Sequence, residues 1–187
     1  VSAKMTPTPP QRYLFDSREL ALIVVLSSLG AVVSVPVGHA GNLLKTITGM
    51  PPGASQLLAG IHVLWLILAA VLVERRGAAT MAGILKGLVE ATLFSYHGIL
   101  VLLISAVEGC VVDIILLPLD KNDAKSICIA GSLSSASNVA VLQFAMMLPL
   151  PSAVFASMYL ASFVSGLIFA GYLGKRVIDV VSQNPLL

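Results

Sequence analysis

Four ionisable side chains stand within long apolar stretches of the sequence. They are Lys86, Glu90, Glu108 and Asp113. Charged groups are costly inside a membrane, and those found there usually mark a binding site or an ion pathway. Lys86 and Glu90 are four residues apart, so on a helix they share one face and can pair. We expect Glu90 to meet a ligand nitrogen or a ligand cation.

A second set of polar and aromatic residues is predicted at a similar depth, in or near the outer half of the membrane. The depth follows from the helix orientation argued below and from a rise of about 1.5 Å per residue. A few polar groups in an apolar cavity are typical of small-ligand sites, and Trp65 or Tyr159 could stack on a ring or hold a cation. The candidate substrate-binding residues are Glu90, Trp65, His62, Tyr96, His97, Asn138, Gln143 and Tyr159.

The other three intramembrane charges, Lys86, Glu108 and Asp113, are assigned to a buried charge network. Lys86 with Glu108 could form a purely structural ion pair that neutralises two buried charges. Asp113 could approach the cytosolic interface and meet Lys121 or Lys125. Glu90 therefore remains the principal candidate for ligand contact.

Structural roles are also open for the uncharged candidates. Trp65 and Tyr96 could be packing or interface aromatics. His62 and Asn138 could hydrogen-bond between helices instead of binding a ligand. A transition-metal site made by the three histidines is a minor alternative, because these residues are far apart in the sequence.

The composition identifies the solvent around these residues. Of 187 residues, 57% are hydrophobic and 11% are charged, against about a quarter charged in an ordinary soluble domain. Such a small number of charges cannot cover a soluble core, so lipid must surround most of the chain. The net charge of +2 is too small to indicate a nucleic-acid-binding surface. Cys110 and Cys128 lack metal-ligand spacing, and the sequence contains no phosphate-binding loop, zinc-protease or serine-hydrolase motif.

Six segments are apolar and long enough to be interpreted as spanning helices, which need about 20 residues each. Prolines and glycines separate them, and Pro36 is expected to end the first. We therefore predict an all-α membrane protein that is a six-transmembrane-helix bundle. The predicted spans are residues 19–36, 54–73, 77–96, 98–118, 126–148 and 152–174.

Basic residues set the predicted orientation. Nine of the eleven Lys and Arg residues fall in segments that are cytosolic if both termini are inside, so we predict N-in, C-in. The predicted domains are a disordered cytosolic tail (1–18), a six-helix substrate-binding domain (19–176) and a cytosolic C-terminal tail (177–187). Residues 37–53 are predicted to form a partly apolar outer loop between helices 1 and 2 that caps the bundle mouth. A plain solvated connection is the alternative.

Small residues recur at four-residue spacing on the first, third and sixth helices. Such stripes let helix backbones approach closely in lipid. On the first helix the stripe can face either the rest of the bundle or a separate membrane subunit. The candidate partner-interface residues are Ser27, Gly30, Ala31 and Ser34.

The chain resembles the substrate-binding S components of energy-coupling factor (ECF) transporters, and among them the thiamin/hydroxymethylpyrimidine family. The resemblance rests on six short helices, an outer loop after the first, and no energy source in the chain. Its local part is GILKGLVEATLFSYHG followed by ILVLLISAVEGCVVDIILL. Glu90 and Gly98 are similar to the family's third-helix glutamate and nearby turn glycine, and Gly109 and Asp113 to the glycine and acid of its fourth helix.

This resemblance implies a chain that binds a vitamin or its precursor, such as thiamin or hydroxymethylpyrimidine, from outside. It implies association with a membrane scaffold subunit and two ATPase subunits, with the first helix contacting the scaffold through its small residues. ATP would be used by those partners, so no cofactor is expected in this chain. The expected location is a prokaryotic plasma membrane that the chain crosses several times, and no enzymatic activity is expected.

Two other classes remain open from the residues alone. An ion-coupled carrier or channel would use Lys86, Glu90 and Glu108 as a proton relay. A membrane enzyme acting on a lipid-soluble substrate would use Glu90 or Asp113 as a base. Ion flux through liposomes holding this chain alone would favour the carrier, and turnover lost in Glu90→Gln would favour the enzyme.

Overall fold

The computed structural model describes residues 14–47, 53–93, 98–145, 147 and 149–183. These residues are helical apart from short links, as the all-α prediction requires. The last three elements follow one another without a break. In chain order the elements are α1 (Ser17–Thr46), a 3₁₀ turn (Ala54–Leu58), α2 (Ala59–Leu72), α3 (Ala78–Thr92), α4 (Leu100–Leu116), α5 (Ala124–Ala145), α6 (Ser152–Ser165), a π-helical segment (Gly166–Leu173) and α7 (Gly174–Ser182).

The helix termini gather at two ends of the bundle. At one end, Arg75 pairs with Glu19 at 2.8 Å, and we call this the Arg75 end. At the opposite end, Gly53 lies against the side chain of Met158, and we call this the Gly53 end. α3 therefore runs toward the Gly53 end, and α4 runs away from it.

The first helix is longer than predicted, and the expectation that it ends at Pro36 is wrong. α1 runs through Pro36 to Thr46, so the predicted outer loop is wrong over residues 37–46. Proline removes one backbone donor, but a helix that packs against other helices tolerates that loss. The extension is packed in this way, because Gly41 lies against Ser55 of the 3₁₀ turn.

The remainder of the predicted loop is a short link before α2. Residues 48–52 lie outside the described residues. Gly53 has φ of +87°, a left-handed conformation that suits glycine. The described part of the link therefore turns the chain sharply against α6.

α2 lies at the centre of the bundle. Val63, Leu66, Ile67 and Ala69 are fully buried, and the helix contacts α1, α3, α4, α5 and the last helical run. The other helices are therefore positioned around an almost entirely apolar axis.

Four helical runs are long and apolar enough, by length and composition, to cross a membrane. α3 and α4 have 15 and 17 residues, and they carry all four predicted intramembrane charges. The last run continues to Ser182, beyond the predicted boundary at residue 174. The four qualifying runs are Ser17–Leu44, Ala54–Leu72, Ala124–Ala145 and Ser152–Ser182.

Candidate substrate-binding site

α3 and α4 approach closely because glycines remove side chains from their contact. Gly83 of α3 lies against the Ser105 carbonyl, and Gly109 of α4 lies against the Ala79 carbonyl. A Cβ at either glycine would overlap the neighbouring backbone. The predicted packing role of the third-helix stripe is confirmed, and the approach brings polar side chains of both helices together.

Lys86 is buried in this contact, with 1% of its side chain exposed. Its Nζ lies 2.9 Å from Glu90 Oε2 and donates to Ser105 Oγ at 3.2 Å. The pairing of Lys86 with Glu90, predicted from their four-residue spacing, is confirmed. The alternative ion pair of Lys86 with Glu108 is not formed in the described structure, where Glu90 is the acid within ion-pair distance of Lys86.

Glu108 is equally buried, and its partners come from α5. Its Oε1 accepts a hydrogen bond from Asn138 Nδ2 at 3.0 Å, and its backbone carbonyl accepts one from Ser134 Oγ at 2.9 Å. Its second carboxylate oxygen, Oε2, is buried and has no hydrogen-bond partner among the described residues. A buried acceptor without a donor carries a desolvation cost, so this atom calls for an explanation.

The polar side chains of these three helices reach toward one level of the bundle. Side chains lean toward the N-terminus of their own helix. α3 and α4 run in opposite directions, so Glu90 leans back toward Lys86 while Glu108 leans toward Ser105. We call the resulting cluster the α3–α5 network, which consists of Lys86, Glu90, Ser105, Glu108 and Asn138.

An apolar cluster adjoins the network on the side of the Gly53 end. Ile104 precedes Glu108 by four residues on α4, and Leu142 follows Asn138 by four residues on α5, so each lies one helical turn closer to that end. The buried members of the cluster are Ile104, Val139, Leu142, Phe155 and Met158.

Two further candidates, Tyr159 and Gln143, border the apolar cluster. Tyr159 Oη donates to Gln143 Oε1 at 3.0 Å and so links α6 to α5. Tyr159 also packs on the apolar cluster, and both side chains are partly buried. The pair therefore lies beside the same apolar region that adjoins the network.

A family model described as "ABC-type cobalt transport system, permease component" matches residues 18–140. The matched range is well over half of the chain and includes the whole α3–α5 network. The chain belongs to this family. It is therefore a transporter component rather than an enzyme, and a multi-pass protein of a prokaryotic plasma membrane.

Two further similarities extend over nearly the whole chain. The proposed HMP/thiamine permease protein YkoE of Bacillus subtilis (strain 168) is 28% identical over 175 residues, which are 91% of this chain and 86% of that protein. The crystal structure of an S-component of an ECF transporter matches with a TM-score of 0.81 and 26% identity, covering 92% of this chain and 88% of that one. The resemblance to ECF S components is confirmed.

Two more predicted ligand residues of the permease component lie between α1 and α2. His62 Nδ1 is 2.8 Å from Ser34 Oγ, so His62 links the two helices, as its structural interpretation predicts. Trp65 packs against Gly30. Its indole Nε1 is buried and has no hydrogen-bond partner in the described part of the chain. Ligand contact by Trp65 and His62 stays a prediction.

The small residues predicted to contact a partner lie inside the bundle. Ser27 Oγ is 3.1 Å from the Ala82 carbonyl of α3, Ala31 is fully buried, and Gly30 and Ser34 face α2. Helix packing, the alternative left open from the sequence, accounts for all four positions. The exposed side of α1 is formed by larger apolar residues: Leu20, Val24, Val25, Leu29 and Val32.

Asp113 has a structural role that the sequence did not suggest. Its Oδ2 accepts hydrogen bonds from the Thr80 N–H at 2.7 Å and the Thr80 hydroxyl at 2.6 Å, and its Oδ1 faces the Ala79 N–H at 3.4 Å. The first N–H groups of a helix lack intrahelical partners, and a carboxylate there also meets a favourable dipole. Asp113 thus caps α3, and no ion pair with Lys121 or Lys125 forms in the described structure.

Two predicted ligand residues lie outside the described residues, and two serine contacts were not predicted from the sequence. Tyr96 and His97 lie outside the described range, so the structure does not place them. The residues that are described contain no group of three His, Cys, Asp or Glu side chains able to hold a metal ion. Sequence reasoning missed Ser105 and Ser134, because a serine in a helix gives no signal until the neighbouring helix is known.

Proposed function

We propose that this permease component is the membrane-embedded substrate-binding subunit of an ATP-driven, ECF-type vitamin importer. Its ligand would be a small vitamin or precursor such as thiamin or hydroxymethylpyrimidine. The observation that carries the proposal is the buried α3–α5 network, with one carboxylate oxygen left without a donor, next to an apolar cluster. The similarity to a proposed HMP/thiamine permease supports this choice of ligand class.

The chemistry of the network suits such a ligand. Thiamin and hydroxymethylpyrimidine carry an aminopyrimidine ring, whose amino group donates hydrogen bonds and whose face is apolar. The network offers carboxylate and amide acceptors, and the neighbouring apolar cluster offers contacts for a ring. Small-ligand sites combine a few oriented polar groups with apolar walls in this way.

The proposed topology has six spans with both termini inside, so that the Gly53 end faces outward. The basic residues Arg75, Lys121, Lys175 and Arg176 belong to the opposite end of the bundle, in agreement with the positive-inside rule. Under this proposal the extended α1 and the 3₁₀ turn cover the outer mouth, in place of the loop that the sequence predicts there.

Transport would require partners, because no ATP-binding motif occurs in the sequence. We propose a membrane scaffold subunit and two ATPase subunits, with the chain itself supplying the ligand site. The four small residues of α1 remain the predicted scaffold contacts, and they would have to become accessible in the complex because the bundle buries them.

The direct test is ligand binding to the purified chain in detergent, without any ATPase. The panel should contain thiamin, hydroxymethylpyrimidine, other vitamins and Co²⁺, the last because of the family description. We expect submicromolar binding of one vitamin-type ligand, weakened in Glu90→Gln and in Trp65→Ala. Binding of Co²⁺ alone would replace the vitamin assignment with a metal.

A proton-coupled carrier is the second candidate. The observation that favours it is the presence of Lys86, Glu90 and Glu108 in one buried network. Liposomes that hold only this chain would then show proton flux or ligand accumulation driven by a pH gradient. The binding-subunit proposal predicts neither.

A further inference from the structure

The α3–α5 network contains unequal numbers of buried acids and bases. The described residues supply one ammonium, Lys86, and two carboxylates, Glu90 and Glu108, and all three are less than one-tenth exposed. Glu90 is neutralised by Lys86 at 2.9 Å. Among the described residues, the side-chain donor to Glu108 is the neutral amide of Asn138. With both acids ionised, the network would carry one uncompensated negative charge in a low-dielectric interior, which is costly.

The other charged or titratable groups near α4 are engaged elsewhere. Asp113, on α4 itself, caps the start of α3. His62, on the neighbouring α2, contacts Ser34 of α1. Lys125, on α5, is exposed at the Arg75 end. Glu108 is therefore the acid whose charge the described chain leaves unbalanced.

Two states can relieve this imbalance. A proton on Glu108 removes the charge when no ligand is present. Alternatively, a ligand cation next to Oε2 balances the charge and supplies the contact that this atom lacks. Charge-assisted contacts of this kind are stronger than neutral hydrogen bonds.

We propose that Glu108, rather than Glu90, receives the positively charged part of the ligand, and that the site selects an organic cation. This inference rests on the proposed function. Binding then releases the Glu108 proton to water while the ionised carboxylate pairs with the ligand cation, so that the charge of the network is conserved. The Lys86–Glu90 pair stays intact, with Ser105 still accepting from Lys86 and Asn138 still donating to Glu108 Oε1.

The first test is a proton count on the unmodified chain. Calorimetric titration at one pH, in two buffers with different ionisation enthalpies, measures the protons released per ligand bound. Thiamin carries a cationic thiazolium, whereas hydroxymethylpyrimidine is its neutral pyrimidine part. We expect thiamin to release about one proton and hydroxymethylpyrimidine to release none. Because the count needs no variant, it is decisive even if a variant fails to fold.

The second test is the isosteric substitution Glu108→Gln. We expect thiamin affinity to fall by about tenfold or more, a change equivalent to roughly 1.4 kcal/mol, with the proton release lost. Affinity for the neutral pyrimidine should change by less than about threefold, because an amide cannot balance a cation but still accepts a hydrogen bond. Glu19→Gln removes a partly exposed carboxylate at the Arg75 end and serves as the matched control.

Each outcome decides a different statement. If the unmodified chain binds thiamin without releasing a proton, or if Glu108→Gln binds thiamin as tightly as the parent, the role of Glu108 is overturned and the proposed function stands. If the parent binds no vitamin in the panel, the proposed function fails and this inference fails with it. Binding of an inorganic cation alone would overturn the selection of an organic one.

Discussion

Glu108 and Asp113 are two acids on the same helix, five residues apart, with very different surroundings. Both oxygens of Asp113 face donors at the first turn of α3. Glu108 Oε1 accepts a hydrogen bond from Asn138, whereas Glu108 Oε2 has no donor in the described structure. Asp113 is partly buried near the Arg75 end, whereas Glu108 is 1% exposed and lies farther inside.

This difference separates an acid that builds the fold from an acid that is available to a ligand. A carboxylate that caps a helix stabilises the folded chain and gains little from further partners. A buried carboxylate with an unused oxygen weakens the ligand-free chain and gains from any donor or cation that enters. The predictions below test this separation, from the largest expected effect to the smallest.

Removing the ammonium should have the largest effect on stability. In Lys86→Met, the buried Glu90 loses the ammonium that neutralises it at 2.9 Å, so we expect the free energy of unfolding to fall by about 3–5 kcal/mol. The double variant Lys86→Met/Glu90→Gln should recover a large part of this loss. Thermal unfolding in detergent measures both, and a single variant as stable as the parent would show that Lys86 does not neutralise the network.

Removing the cap of α3 should come next. Asp113→Ala leaves the Ala79 and Thr80 N–H groups without their partner, and we expect a loss of about 1–3 kcal/mol. Asp113→Asn retains one acceptor oxygen and should lose less. If Asp113→Ala has the same melting temperature as the parent, Asp113 does not stabilise the fold, and its contrast with Glu108 is wrong.

The hydrogen bond between α5 and α6 should contribute less. Tyr159→Phe removes the donor to Gln143, and we expect a loss of about 1 kcal/mol. Tyr172→Phe is the matched control, because Tyr172 is exposed and contacts Arg176 at the surface. An equal loss of stability in Tyr172→Phe would show that the Tyr159–Gln143 hydrogen bond does not stabilise the fold.

Neutralising Glu108 should have the smallest effect on the ligand-free chain, and it can have the opposite sign. Glu108→Gln keeps an acceptor for Asn138 and leaves the site neutral, as the proton on Glu108 does in the ligand-free parent, so we expect stability within about 1 kcal/mol of the parent, or above it. Thermal unfolding of ligand-free Glu108→Gln, Asp113→Ala and the parent under the same conditions checks this. Destabilisation equal to that of Asp113→Ala would assign both acids to the fold.

The sequence predicted contacts within one helix better than contacts between helices. The Lys86–Glu90 pair follows from four-residue spacing alone, and the glycine stripe of α3 indicated close packing without naming α4 as the partner. The Glu108–Asn138 and Asp113–Thr80 contacts depend on which helices are neighbours and on their register, which no local pattern encodes.

The error at Pro36 has a related cause. Proline is a strong local signal for a helix end, but the packing of Gly41 against Ser55 holds residues 37–46 in helical form. Tertiary contacts therefore outweighed a local rule, and much of the predicted capping loop became a helix extension.

The most direct test of a ligand role for the α3–α5 network is the rise in melting temperature caused by saturating ligand. A ligand present at about 100 times its Kd stabilises the folded state by about 2.7 kcal/mol. We predict that thiamin raises the melting temperature of the parent and of Asp113→Asn by similar amounts, and that Glu108→Gln loses most of the rise. An equal rise in Glu108→Gln would contradict the assignment of Glu108 to the ligand.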